Sequence, residues 1–158
     1  MAAGAAHYDK ELAKRAIAAH EQERGALLPM LHAIQHALGF VPDDLVPEIA
    51  SALNLSRADV HGVITFYHDF RRQPAGRHVV KICRAEACQA RGGAAIEAAA
   101  AEKLGVKMGE TRSDGAVTLE PIYCLGLCSI GPNALVDDQP VAMIDTAKLD
   151  EIVREVTA

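Results

Sequence analysis

Four cysteines constrain this chain more than any other feature. They are Cys83, Cys88, Cys124 and Cys128, spaced C-x4-C-x35-C-x3-C and confined to the second half of the 158 residues. Two disulfides would need an oxidising compartment, and the start, MAAGAAHYDKELAKR, has neither the basic beginning nor the apolar stretch of an export signal. Scattered core cysteines behave as small hydrophobes and have no reason to fall in two close pairs. Two pairs of thiolates separated by a long excursion are instead the layout of a four-ligand metal site. Zinc and iron–sulfur both stay open on spacing. Structural zinc favours short knuckles, often C-x2-C, which neither pair has, whereas a two-iron cluster spreads four ligands over two metal atoms and suits wider loops. A Rieske centre is excluded, because all seven histidines precede Cys83. A C-x-x-C thiol-exchange pair is absent as well.

Composition narrows the function classes. A hydrophobic share of 50% and a charged share of 23% describe an ordinary globular chain, long enough to bury a core. Sixteen Lys and Arg against 21 Asp and Glu leave a net charge of −5. That is the wrong balance for a dedicated nucleic-acid binder, and it gives no general attraction for phosphates. No apolar run approaches the roughly 18 residues of a membrane-spanning helix. These features predict a cytoplasmic protein with no membrane span and no nucleic-acid partner.

Hydrophobic spacing divides the chain in two. Asp9 is placed to cap a helix over residues 10–23. A second helix over 26–37 carries Leu27, Leu31, Ile34 and Leu38 at helical spacing and stops at Gly39. Pro42 is expected as the first residue of a third helix carrying Leu45, Ile49 and Leu53. Ser56 and Asp59 form a capping box for a fourth, through Val60, Val63 and Ile64. Residues 71–76 read as a linker or turn. From Arg77 the period changes. Residues 78–82 form a strand running into Cys83, 94–104 an Ala-rich helix closed by Gly105, and 117–122 a second strand ending at Cys124. Leu135 to Ile144 read as a hairpin turning at Asp137-Asp138-Gln139, and Asp145 caps a last helix with Leu149, Ile152, Val153 and Val156. The predicted fold class is α/β: an N-terminal helical bundle over 1–73, then a thioredoxin-like α/β domain over 77–158.

Other candidate chemistry is sparse. His32 and His36 stand one helical turn apart but have no carboxylate or cysteine at matching spacing, so they read as ordinary helix residues. Gly92-Gly93 is not a dinucleotide fingerprint, and no phosphate-cradling loop occurs. No Ser/His/Asp or Cys/His arrangement supplies a nucleophile, and no residue stands out as a general acid or base. Gly126 could let the backbone approach the thiolates, or simply turn the chain. Arg84 and Arg91 could offset negative charge at the site, face an acidic partner, or lie solvated. Gly131-Pro132 reads as a turn leading away from it.

The loops Cys83-Arg84-Ala85-Glu86-Ala87-Cys88-Gln89 and Cys124-Leu125-Gly126-Leu127-Cys128, after a helical region containing Ile64-Thr65-Phe66-Tyr67, resemble the thioredoxin-like 2Fe–2S ferredoxin family. The resemblance spans roughly residues 10–155. Within the family these loops look most like the gamma subunit of NAD-dependent formate dehydrogenase, since respiratory-complex members tend to carry Thr and Pro between the first two ligands. It implies one 2Fe–2S cluster held by Cys83, Cys88, Cys124 and Cys128, in a non-catalytic electron-transfer subunit. It also implies a flavin- and NAD-binding partner subunit, against which the N-terminal helices would pack, and a molybdenum-containing iron–sulfur catalytic subunit. The equivalent subunit of NADH:quinone oxidoreductase or of a NAD-reducing hydrogenase is the nearest alternative. A zinc-stabilised interaction module is the alternative from another class.

Overall fold

The Asp9 carboxylate accepts the main-chain N–H groups of Glu11 and Leu12, and the first helix, α1, runs from there over Lys10–His20. The computed structural model describes residues 7–158. The first six residues, part of the expected helical domain and of the start read above as lacking an export signal, lie outside the described residues. The second helix, α2 (Leu27–Leu38), ends at Gly39, whose φ of 82° is a left-handed conformation that glycine adopts without a Cβ penalty. Ser56 and Asp59 form the reciprocal capping box that opens α4 (Arg57–Phe66). Pro42 does not begin the third helix, α3 (Val46–Ala52). It stays extended (ψ 135°) ahead of a single 3-10 turn, Asp43–Leu45, and the helix starts later, with Pro47 in its first turn. A proline lacks the N–H that a first-turn position leaves unused, so either proline suits a helix start. Here the 3-10 turn intervenes.

Two compact units result, Met1–Pro74 and Ala75–Ala158. The first buries Ala13 and Ile17 of α1 with Met30, Leu31 and Ile34 of α2, Ile49 of α3, and Val60 and Ile64 of α4. These are the positions that helical spacing places on one face.

The second unit is built on a five-stranded sheet. Its strands are β1 (His78–Cys83), β2 (Glu110–Thr111), β3 (Val117–Ile122), β4 (Ala134–Val136) and β5 (Gln139–Val141), in the order β2-β3-β1-β4-β5. β1 and β3 run parallel in register from His78 opposite Val117 to Cys83 opposite Ile122, and the other pairings are antiparallel. A parallel neighbour needs a crossover. It is supplied by a short helix, α5 (Glu86–Ala90), and a longer one, α6 (Gly93–Leu104). The last helix, α7 (Thr146–Thr157), packs on α6, and Lys103 and Asp150 pair across them at 2.6 Å. Val80, Ile82, Val117 and Leu119 of the central strands form one core with Ala100, Leu104, Leu149, Ile152 and Val156.

Further details differ from the sequence expectation. α5 and β2 were not foreseen, being too short to show a period. The hairpin turns on Asp137-Asp138, both left-handed (φ 47° and 64°), so strand β5 is Gln139–Val141 and Met143 and Ile144 lie beyond it. Two successive positive φ values are the two-residue hairpin turn that Asp tolerates. Within 71–76, Gly76 is a packed position: a Cβ there would stand 2.8 Å from the Val117 carbonyl carbon, and its N–H donates to Thr118 Oγ1 at 2.7 Å.

Leu119 is fully buried at the centre of this core. Leu119→Ala should lower unfolding stability by ~2–5 kcal/mol in denaturant titration, the range for leucine truncation in a core that cannot collapse. A loss below about 1 kcal/mol would contradict its central position.

Candidate metal centre

The parallel register delivers two chain ends to one edge. β1 finishes at Cys83, opposite Ile122 at the end of β3, and Arg84 N–H donates to Ile122 O at 2.8 Å, extending the ladder by a rung. Carboxyl ends of parallel strands are where open α/β sheets place ligands. After β1 the chain turns through Ala85 into α5, which carries Cys88. Both cysteines are buried, at 2% and 1% exposure.

After β3 the course is sharper. The strand stops at Ile122 rather than reaching Cys124, and Cys124 itself is left-handed, with φ 72°. A non-glycine residue there costs about 1–2 kcal/mol, and such positions gather at functional sites where the surroundings hold them. Gly126, φ 78°, completes the turn and donates its N–H to Cys124 Sγ at 3.4 Å, so it both turns the chain and approaches a thiol. Cys128 opens a 3-10 turn, Cys128–Ile130, with its sulfur 3.5 Å from that of Cys124. This second pair is exposed.

The thiols act on one another. Burial first, then the hydrogen bond with Cys83, pushes the Cys88 thiol up, and it also feels the charge of Cys128. The Gly126 N–H, aided by Cys128, draws the Cys124 thiol down. Cys128 is pushed up by its hydrogen bond with Cys124 and also feels Cys83. All four sequence-predicted cysteines are thus brought to one locality, as a buried pair and an exposed pair. Among the described residues, no three His, Cys, Asp or Glu side chains close on a single point as one ion would require.

The second loop is pinned to the first. Asn133, 1% exposed, donates from Nδ2 to Leu127 O at 2.8 Å and stands 3.6 Å from Cys88 Sγ, while its carbonyl accepts the Cys83 N–H at 2.9 Å. Its Oδ1 is buried without a partner. Gly131, ahead of a cis bond to Pro132, is more than a turn: a Cβ there would come within 3.2 Å of Cys88 Sγ. Sequence reading passed over Asn133. The available signal was a polar side chain in an uncharged stretch between the last cysteine and a strand.

The two arginines separate. Arg84 pairs with Glu97 of α6 at 3.0 Å, whereas Arg91 donates from Nε to Gly131 O at 2.9 Å. His32 lies against Phe70 with ring centroids 4.9 Å apart and the rings tilted by 52°, a packing role. Four thiols, two of them with amide N–H groups directed at their sulfurs, suit an iron–sulfur cluster, whose sulfurs carry negative charge and accept such hydrogen bonds.

Comparison with known proteins agrees. The family described as thioredoxin-like 2Fe–2S ferredoxin matches residues 13–157. One of the subunits of the NADH-quinone oxidoreductase of Escherichia coli K12 is 39% identical over 134 residues, covering 85% of this chain and 81% of that protein. A NADH-quinone oxidoreductase subunit of Rhizobium meliloti is 32% identical over 149 residues, covering 94% and 89%. Among solved structures, an air-oxidised NAD+-reducing NiFe hydrogenase superposes with a TM-score of 0.71 at 21% identity; the match covers 83% of this chain and 22% of that one. The chain belongs to the thioredoxin-like 2Fe–2S ferredoxin family, and its cofactor is one 2Fe–2S cluster.

The difference in burial is measurable. In metal-free protein, iodoacetamide should alkylate Cys124 and Cys128 well before Cys83 and Cys88, as read by peptide mass spectrometry over time. Equal rates at all four would refute the inner and outer arrangement.

Proposed function

We propose that this thioredoxin-like ferredoxin is the electron-transfer subunit of a cytoplasmic NAD-dependent formate dehydrogenase, exchanging electrons with a flavin- and NAD-binding partner subunit. Cys83, Cys88, Cys124 and Cys128 hold its cluster. The observation that carries the relay role is the convergence of four thiols, two of them exposed, where β1 and β3 end side by side. When bound, the cluster supplies a one-electron site whose formal charge goes from −2 to −3. The chain's own part is to hold the four sulfurs, to direct the Gly126 and Asn133 N–H groups at them, and to leave the outer pair open to a partner. Substrate chemistry belongs to other subunits.

The choice of a formate-oxidising assembly rests on the residues Arg84-Ala85-Glu86-Ala87 between the first two cysteines. A subunit of a NADH:quinone oxidoreductase is the second reading, favoured by the 39% identity to the Escherichia coli protein. The two units divide the work in either case. The Ala75–Ala158 unit carries every cysteine, and the helical unit, with a separate core, is the docking element. Among the described residues no helix is long and apolar enough to cross a membrane, which fits a cytoplasmic complex.

Purified chain should contain two iron and two sulfide, and Cys124→Ala should lose the visible absorption and the EPR signal of the reduced state. A Cys124→Ala protein with a full cluster would end the ligand assignment; colourless protein with one zinc would favour the interaction module instead.

A tagged chain recovered from its source cells should bring down flavin, molybdenum and formate-dependent NAD+ reduction. Recovery with quinone-linked NADH oxidation and no molybdenum would favour the second reading. Deleting residues 1–70 should leave a chain that takes up a cluster but no longer co-purifies, since a stable interface typically buries about 1,600 Å² or more. Retention of both cluster and partner would exclude the docking role.

A further inference from the structure

The two arginines beside the first cysteine pair have different electrostatic fates. The Arg84 guanidinium lies 3.0 Å from the Glu97 carboxylate, so its charge is compensated within the sheet-and-helix unit. Arg91 follows α5 at its C-cap, its own N–H donating to Cys88 O at 3.2 Å. Its Nε donates to Gly131 O at 2.9 Å, and among the described residues no carboxylate pairs with it. Gly131 is the residue against which Cys88 packs: the position of a Cβ there would lie 3.2 Å from Cys88 Sγ and 3.5 Å from Arg91 Cδ. Arg91 therefore borders the same backbone unit as the sulfur, from the C-terminal end of α5.

We propose that Arg91 is a positioning residue that clamps the Gly131 loop to the first cysteine pair and supplies the uncompensated positive charge that favours the reduced site. The inference rests on the ligand assignment proposed above.

Two physical effects follow from one side chain. A guanidinium is always charged, and its planar donors fix direction as well as distance. Holding the Gly131 carbonyl keeps the segment Gly131–Asn133 seated, and with it the Asn133 amide near Cys88 Sγ. Reduction adds one negative charge at the site, and a nearby cation stabilises the reduced form more than the oxidised form. Charge and hydrogen bonds around a cluster are the levers by which a protein sets its potential. A carbonyl partner, unlike a carboxylate, leaves the net charge of Arg91 intact. Arg84 is closer in sequence to Cys83, but its field is largely cancelled by Glu97.

The test is an EPR-monitored redox titration of the full chain with its cluster, comparing Arg91→Gln, Arg91→Lys and Arg84→Gln with the parent. Arg91→Gln should be harder to reduce, with a lower midpoint potential and shifted g-values. Arg91→Lys, which keeps charge and a donor, should hold the parent potential, and Arg84→Gln should stay closer to the parent than Arg91→Gln. An unchanged potential in Arg91→Gln, or a shift in Arg84→Gln as large, overturns the proposal. Should Arg91→Gln fail to retain a cluster, a lowered potential in Arg91→Lys overturns it as well. Failure of the ligand assignment is read separately, as a parent protein without two iron, two sulfide and a 2Fe–2S signal.

Discussion

The cysteine site depends on the parallel pairing of β1 with β3. The two cysteine pairs are far apart in sequence, and they come to one locality because the two strands run in the same direction and finish together, with Cys83 opposite Ile122. An antiparallel pairing would send the two chain ends to opposite edges of the sheet. A slip of one residue along the ladder would turn the slipped strand's side chains to the opposite face. The register is held by the burial of Val80, Ile82, Val117 and Leu119, since such a slip would take these side chains out of the core. The core of the unit thus fixes where the strands deliver the cysteines.

Around the sulfurs the molecule uses amides more than cations. Residues 121–136 contain no charged side chain. The contacts found there are N–H donors: Gly126 to Cys124, Asn133 to Cys88, and the Cys83 N–H tied back to Asn133 O. Neutral donors oriented by the backbone favour negative charge without competing for a metal, and they need no side-chain reorganisation when charge is added. The cations stand at the margin, one cancelled by Glu97 and one held on a carbonyl. Burial opposes this stabilisation on the inner side, where Cys88 is pushed up, while the open outer side lets Cys124 be drawn down. The site is therefore graded from a dry pair to a wet pair.

What could be read from sequence follows the range of the interactions involved. Helix starts at Asp9, Ser56 and Asp145, the stop at Gly39 and the strand entering Cys83 depend on residues within one turn or one alternation, and all were legible. The Pro42 start was misplaced because either Pro42 or Pro47 satisfies the local rule, and the intervening 3-10 turn gives no pattern of its own. α5 and β2 are shorter than any period that could announce them. At the site, cysteine spacing exposed the two pairs but not the contact between them. Asn133 and Gly131 act through space on Cys88, and Arg84 differs from Arg91 only because Glu97 of α6 lies beside one of them. Such pairings become visible only when the crossover has brought distant segments together.

The strained residue at the outer pair completes the physical picture. Cys124 is left-handed without being glycine, whereas Gly126, two residues on, meets the same demand at no steric cost. A chain needing only a turn would place glycine or asparagine at both positions. A thiol at the strained position keeps its sulfur within 3.5 Å of Cys128 and in line with the Gly126 N–H, and that geometry is lost if the turn relaxes. Strain of about 1–2 kcal/mol is small against the core that holds β3 in place, so the fold can sustain it. It sits on the exposed side, where two thiols face outward and where an electron carrier must meet its partner. The inner pair needs no such distortion, because the end of β1 and the first turn of α5 already present Cys83 and Cys88 to each other.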